Sequence, residues 1–255
     1  MTTTYTIRAL NTGYQNLDKG QYATFRKGGG TIIEHPVFCF LIEGDGRKIL
    51  VDTGMSDTEQ SVRYHHHGRQ DQGQAIHDQL ASVGVAPDEI DTIIFTHLHW
   101  DHCYNVDRFP KARLVVSEIE YRFALNPTPP YWMTYQHPSC GQQPPWRGRK
   151  FDLVQGEEEI AEGVRVFPTP GHSPGHQSVS VRTSAGVYVL AGDLFFVREN
   201  LEPDAERGWP LTPIGRFSNF VELWESMEAT VRRADHILMT HDPSIKDHQL
   251  YPLDT

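Results

Sequence analysis

The stretch Thr92-Ile93-Ile94-Phe95-Thr96-His97-Leu98-His99-Trp100-Asp101-His102 decides the reading of this chain. A β-rich run, Thr92 to Thr96, feeds directly into four potential metal ligands packed within six residues. On extended backbone successive side chains alternate, so His97, His99 and Asp101 fall on one side, and His102 joins them only where the chain turns. A strand leading into a turn therefore lets His97 and His99 hold one ion while Asp101 and His102 reach a second. Imidazole nitrogen with carboxylate oxygen suits zinc, with manganese, iron and cobalt as alternatives, whereas calcium and magnesium cages are mostly oxygen. A solvated polar loop would account for one histidine but not for this density.

Working outward, three further β-rich runs each end in a candidate ligand. Val164 to Phe167 runs into Pro170-Gly171-His172, Val187 to Ala191 into Gly192-Asp193, and His236 to Thr240 into His241. Taken singly, Asp193 could be a turn residue and His241 the neighbour of a helix cap. If the strands lie in neighbouring sheets, their ends can converge on one rim and supply the missing ligands. Further β-rich runs cover Val37 to Ile42, Lys48 to Val51, Arg113 to Val116 and Gln177 to Arg182. Helical patterns lie between them at Gly73 to Val83, closed by Gly84, at Ser117 to Ala124 and at Phe220 to Arg232. This mixture predicts layered α/β or α+β architecture.

No repeat or linker divides the chain, so residues 1–255 are expected to form a single domain. Two stretches break the rhythm. Glu59 to Gln74 carries His65, His66 and His67, read as a solvated loop near an entrance. Asn126 to Arg149 interleaves prolines with Tyr131, Trp132, Tyr135 and Trp146, and residues 126–149 are expected to be a lid or pocket insertion.

Composition excludes several partners. In 255 residues, 23 Lys and Arg stand against 33 Asp and Glu, a formal net charge of −10 that disfavours nucleic acid. The 38% hydrophobic and 22% charged content suits a folded soluble protein, and no apolar run reaches the roughly 18 residues of a membrane span. The segment MTTTYTIRALNTGYQ has neither the basic nor the apolar region of a signal peptide, which makes the cytoplasm the expected location. Cys39, Cys103 and Cys140 show neither disulfide nor metal spacing. The 14 histidines are the unusual feature.

The motifs THLHWDH, TPGHSPGHQS, AGD and MTHD, together with ILVDTGM, run from Pro36 to His241 and resemble the metallo-β-lactamase superfamily. PVFCFLI, LVDTGM and GHSPGHQS are most similar to its N-acyl-homoserine lactonase branch. The resemblance implies an α+β fold, a four-layer αββα sandwich with the site at one edge. It implies one metal on His97, His99 and His172 and a second on Asp101, His102 and His241, with Asp193 bridging and Asp52 supporting the site from behind. It further implies two divalent ions, zinc first, in a hydrolase that opens a small lactone by attack of a metal-bridging hydroxide, with Asp101 and Asp193 as catalytic carboxylates. Quorum quenching is the role implied, the partner is a small lactone or ester, and relatives of this kind are often homodimers. The alternative is another ester, thioester, amide or β-lactam as substrate on the same fold. A di-iron redox enzyme and a non-catalytic module are the competing classes.

Two departures stand out. The branch commonly carries a tyrosine three residues after the bridging aspartate, where this chain has Phe196, so Tyr104, Tyr131 or Tyr135 is expected to replace it unless the substrate differs. Cys103-Tyr104 follows the His-Asp-His run where small glycines are usual, and their bulk is expected to reshape the pocket floor. His176, four residues after His172, is read as a hydrogen-bonded structural residue rather than a ligand.

Overall fold

The computed structural model describes residues 3–253. Its strands are β1 (Thr6–Asp18), β2 (Ile32–Gly44), β3 (Arg47–Val51), β4 (Thr92–Ile94), β5 (Arg113–Ser117), β6 (Asp152–Val154), β7 (Glu158–Ala161), β8 (Val164–Pro168), β9 (Gln177–Thr183), β10 (Gly186–Leu190), β11 (His236–Leu238) and β12 (Leu250–Tyr251). The α-helices are α1 (Thr58–Tyr64), α2 (Ile76–Ser82), α3 (Trp100–Cys103), α4 (Glu118–Leu125) and α5 (Phe220–Arg233). A seven-stranded sheet has the order β12-β1-β2-β3-β4-β5-β6, and a five-stranded sheet has the order β11-β10-β9-β8-β7. No helix among the described residues is long and apolar enough to cross a membrane.

Period-2 alternation gives each sheet an inner and an outer apolar face. Phe38, Phe40, Ile42, Val51 and Ile94 of the first sheet share one core cluster with Val164, Val166, Val179, Val181 and Leu190 of the second. The outer face of the first sheet buries Leu41, Leu50 and Ile93 against Ile76 and Leu80 of α2. On the far side, Leu223 and Met227, one turn apart on α5, pack with Ala191, Leu194 and Met239. Asn219 caps α5 by accepting from the Val221 and Glu222 amides. The result is a four-layer αββα sandwich, as the motifs lead one to expect.

Strand direction explains where the site lies. β3 and β4 are parallel in the first sheet. In the second, β10 and β11 are parallel, and β8 shares their direction because β9 is antiparallel to both β8 and β10. Asp52, His97, His172, Asp193 and His241 therefore all follow the C-terminal ends of strands. The Thr92–Thr96 run leaves its sheet after Ile94, and the Thr96 carbonyl accepts from the Gln177 amide of β9 at 2.9 Å, tying the two sheets together at this rim.

Strand β1, absent from the sequence expectation, pairs along most of its 13 residues with β2. A register shift between Asn11 and Tyr14 swaps its faces, so Ile7 and Ala9 enter the inter-sheet core while Gln15 turns toward the rim. Gly13 is required there: its φ is +144°, and a Cβ would lie 2.6 Å from Met55 Sδ and 2.9 Å from the Arg69 carbonyl. The stretch Glu59 to Gln74 likewise includes most of helix α1.

Residues 126–149 are packed rather than free. Tyr135 and Trp146 are buried with the outer face of the first sheet, the Trp146 ring 5.9 Å from Tyr121, and the Thr134 carbonyl accepts from the Trp100 amide at 3.0 Å. Trp146→Ala is expected to lower unfolding stability by about 3–5 kcal/mol in chemical denaturation. A loss below about 1 kcal/mol would mean the segment is a loose lid.

Candidate metal centre

Seven side chains converge at the rim: His97, His99, Asp101, His102, His172, Asp193 and His241, of which Asp101 is the most exposed at 7%. Local structure delivers them. After His97 and His99 on extended chain, α3 supplies the turn that brings Asp101 and His102 round to the same side. Gly192, with φ +57°, makes the tight bend into Asp193, where a Cβ would sit 2.7 Å from His176 Nε2. Gly171 lets the His172 loop lie against α5, since a Cβ would lie 2.3 Å from Leu223 Cα.

The donor atoms fall into groups of three: His97, His99 and His172; His97, His102 and Asp193; and Asp101, His102 and His241, each within 4.8 Å. His172 Nε2 is 3.1 Å from His99 Nδ1 and 3.3 Å from Asp193 Oδ2, which is 3.9 Å from His97 Nε2. The other carboxylate oxygen, Asp193 Oδ1, lies 3.1 Å from His102 Nε2 and 3.2 Å from His241 Nε2. Asp101 Oδ2 stands 3.8 Å from His102 Nε2 and 3.7 Å from His241 Nε2. Ligands about 2.0–2.1 Å from a tetrahedral zinc are about 3.3 Å from one another, and the pairs here lie 3.1 to 3.9 Å apart.

Burial sharpens the point. Nε2 of His97, His99, His102 and His241, and Asp193 Oδ1, are buried without a hydrogen-bond partner. Each orphaned atom costs about 1–3 kcal/mol, and bound cations would satisfy all but His99 Nε2, since that ring presents its Nδ1 to the His172 donor. The remaining ring nitrogens are held from behind. His102 Nδ1 donates to Asp52 Oδ2 at 2.8 Å, His241 Nδ1 to the Pro36 carbonyl at 2.8 Å, and His172 Nδ1 to the Arg216 carbonyl at 2.9 Å. Asp52, with φ +62°, also accepts from the Thr96 amide and hydroxyl at 2.8 Å each.

Burial and charge pull the histidines apart. Burial, reinforced by neighbouring imidazoles, holds His97 and His99 well below the usual range. It acts the same way on His102 and His241, but the negative charge of Asp193 and Asp101 outweighs it and raises both. Burial would raise Asp193, and His102, His241 and His172 override it and keep the carboxylate ionised.

His176 is a structural residue. Its Nε2 accepts from the Asp193 amide at 3.1 Å and its Nδ1 donates to Thr169, fixing one tautomer. Cys103 is buried and donates to the Leu98 carbonyl, and Tyr104 lines a separate cavity with Asn105 and Arg108, so neither shapes the floor of the site as expected. Tyr135 donates to Glu120 at 2.7 Å and packs edge-on against His99, while Tyr131 lies beneath the Arg216 guanidinium.

Several site residues escaped the sequence reading. The cleft over the centre is small, about 30 Å³, and is walled by Gln15, Tyr22, His66, Thr134, Phe196 and Arg216 beside the ligands. A cavity of about 600 Å³ lies elsewhere, against Tyr188, His236 and Tyr251, and none of the seven converging side chains lines it. The phenol facing the cleft is that of Tyr22, on a single π turn, Lys19–Ala23. His65 and His66 are not a solvated loop: His65 stacks on Trp100 with ring centroids 4.0 Å apart, and His66 sits edge-on to Tyr22 at 4.9 Å, leaving only His67 of the three exposed. Buried Glu120 organises the surroundings, accepting from Leu98, Tyr135, Ser173 and Gly175. Gln15, Tyr22, Glu120, Thr134 and Arg216 lie outside the ligand motifs.

The model of the metallo-beta-lactamase superfamily matches residues 32–239. The chain belongs to that superfamily. An N-acyl homoserine lactonase of Bacillus thuringiensis is 31% identical over 185 residues, spanning 69% of this chain and 70% of the relative. A second, from Bacillus cereus, is 26% identical over 226 residues, spanning 85% and 82%. The crystal structure of a quorum-quenching N-acyl homoserine lactone hydrolase superposes with a TM-score of 0.78 at 25% identity, over 99% of this chain and 98% of the other. With this membership and these relatives, the protein is a metal-dependent hydrolase.

His176 carries a pH signature, because burial depresses its pKa to about 3. An unfolded histidine takes its proton near pH 6.5, so the stability this group contributes is complete above that value and is lost as pH falls toward 3. Between pH 7 and pH 5 the loss from this residue is about 2 kcal/mol. Urea denaturation of wild type and His176→Gln at both pH values should show a smaller pH dependence in the variant; equal dependences would refute the assignment.

Proposed function

We propose that the protein is a dinuclear hydrolase that opens a small lactone of the N-acyl-homoserine type. The observation that carries this reading is Asp193, whose two oxygens face two different groups of histidines across a buried centre. His97, His99 and His172 would hold one ion and Asp101, His102 and His241 the other, with Asp193 shared. Two divalent ions, zinc first, would supply Lewis acidity toward a carbonyl oxygen and a water acidified to near neutral pH.

The chain's own groups do the rest. The carboxylates of Asp193 and Asp101 offset cationic charge. Asp101 borders the cleft and accepts from Gln15 Nε2 at 2.5 Å, which orients it to take a proton and pass it to the leaving alkoxide. Tyr22 supplies the phenol that position 196 lacks and donates a hydrogen bond to the substrate carbonyl oxygen. Phe196, its ring centroid 4.6 Å from His241 and 6.0 Å from His172, forms an apolar wall beside them. The cleft is narrow, so a lactone ring would sit at its mouth beside the centre with its acyl chain directed outward. The lactonase relatives support this substrate class.

Chelation should abolish turnover and zinc should restore it, whereas full activity in metal-free protein would overturn the proposal. In parallel assays kcat/KM should be highest for lactones, ahead of aryl esters, thioesters and nitrocefin; ester turnover far above lactone turnover would replace lactone by ester as the substrate. Asp193→Ala should lose both ions by metal analysis. Tyr22→Phe should lower kcat about tenfold, with recovery on adding Phe196→Tyr. An unchanged kcat would remove Tyr22 from the reaction.

A further inference from the structure

Arg216 is the one arginine that borders the cleft. It is half-buried, and the placement is built in. The Phe25 amide donates to the Pro213 carbonyl and the Gly215 amide to the Tyr22 carbonyl, both at 2.8 Å, so the chain around 213–216 is zipped onto the π turn that carries Tyr22. Gly215 permits this approach, since a Cβ there would lie 2.6 Å from the Gly20 carbonyl oxygen. The Arg216 carbonyl holds His172, and its side chain extends over the Tyr131 ring, 5.5 Å from the centroid, to donate to Thr134 Oγ1 at 3.2 Å.

This guanidinium lacks a counter-ion. Among the described residues no carboxylate pairs with it, and Thr134 is its hydrogen-bond acceptor, although a guanidinium carries five N–H donors. Its charge is felt by His99, His172, His66 and Tyr22, all of which border the same cleft. Asp52, Asp101 and Asp193 already balance much of the charge of two divalent ions, so neutralising the metal centre does not call for Arg216, which is itself cationic. A half-buried cation with free donors, in a cleft beside imidazoles, is suited to an incoming planar anion.

We infer that Arg216 binds a carboxylate carried by the substrate, so that the preferred substrate is a compact lactone bearing an anionic substituent rather than a neutral one. This rests on the lactone-opening reading above and narrows it, since an N-acyl-homoserine ring is neutral and would be a poorer substrate than a ring bearing a carboxylate. The carboxylate formed by ring opening is the other source of the same chemistry, and the experiment separates the two.

Two rings that differ only in a carboxylate substituent, γ-butyrolactone and 5-oxotetrahydrofuran-2-carboxylate, are compared on the zinc-loaded enzyme. Wild type should favour the carboxylate-bearing ring by about tenfold or more in kcat/KM. Arg216→Met should erase that preference by lowering only the charged arm, Arg216→Lys should keep part of it, and zinc content should remain that of wild type. Calorimetry supplies a readout that needs no turnover: glutarate should bind wild type about tenfold more tightly than butyrate, and Arg216→Met should level the two. If neither ring is opened but the glutarate preference depends on Arg216, the lactone reading fails and the carboxylate site stands. Equal loss in both arms would show a structural role and overturn the inference. Weakened butyrate binding with an unchanged ring preference would assign the guanidinium to the product carboxylate, and would likewise overturn a charged substituent.

Discussion

Asp193 is a buried carboxylate whose two oxygens lie 3.1 to 3.9 Å from four imidazole nitrogens contributed by three separate segments of chain. Removing a carboxylate and several imidazoles from water is costly unless charge and hydrogen bonding compensate. Much of the surrounding structure supplies that compensation. Gly192 makes the bend, His176 receives the Asp193 amide, and Asp52, Pro36 and Arg216 each hold a histidine from behind so that its Nε2 faces inward. The two sheets need only meet at one rim for this to work, and the Thr96 to Gln177 hydrogen bond closes them there.

Chemistry and selectivity are carried by different parts of the fold. The ligands follow the C-terminal ends of core strands, where packing of the shared inter-sheet cluster leaves little freedom. The cleft walls come from the far end of β1, the π turn after it, the packed 126–149 segment and the chain around 213–216. These walls can change residue by residue while the centre keeps its geometry. Phe196 and Arg216 show this within one cleft: the first is an aromatic wall beside His241 and His172, and the second is a cation that no carboxylate among the described residues pairs with.

The seven converging side chains were legible as candidate ligands because metal chemistry demands particular side chains at short range, and four of the seven lie in one run from His97 to His102. The helical turn α3 could be anticipated only as a turn, since four residues carry too little periodicity to announce a helix. Strand β1 was not legible: its bulge at Asn11 to Tyr14 exchanges faces mid-strand, which destroys the alternation by which strands are recognised. The roles expected for Cys103 and Tyr104 failed because α3 turns Cys103 into the core and carries Tyr104 to another surface.

The sequence by itself pointed to seven candidate ligands, because these depend on residue type and local spacing, and its motifs pointed to the family whose sandwich presents them. Only the tertiary structure shows which phenol and which cation border the cleft. Tyr22 and Arg216 lie 194 positions apart and belong to no motif; they meet because backbone hydrogen bonds and a side-chain-free Gly215 bring their segments together. Such long-range pairing is set by packing of the whole chain, and local pattern holds no trace of it.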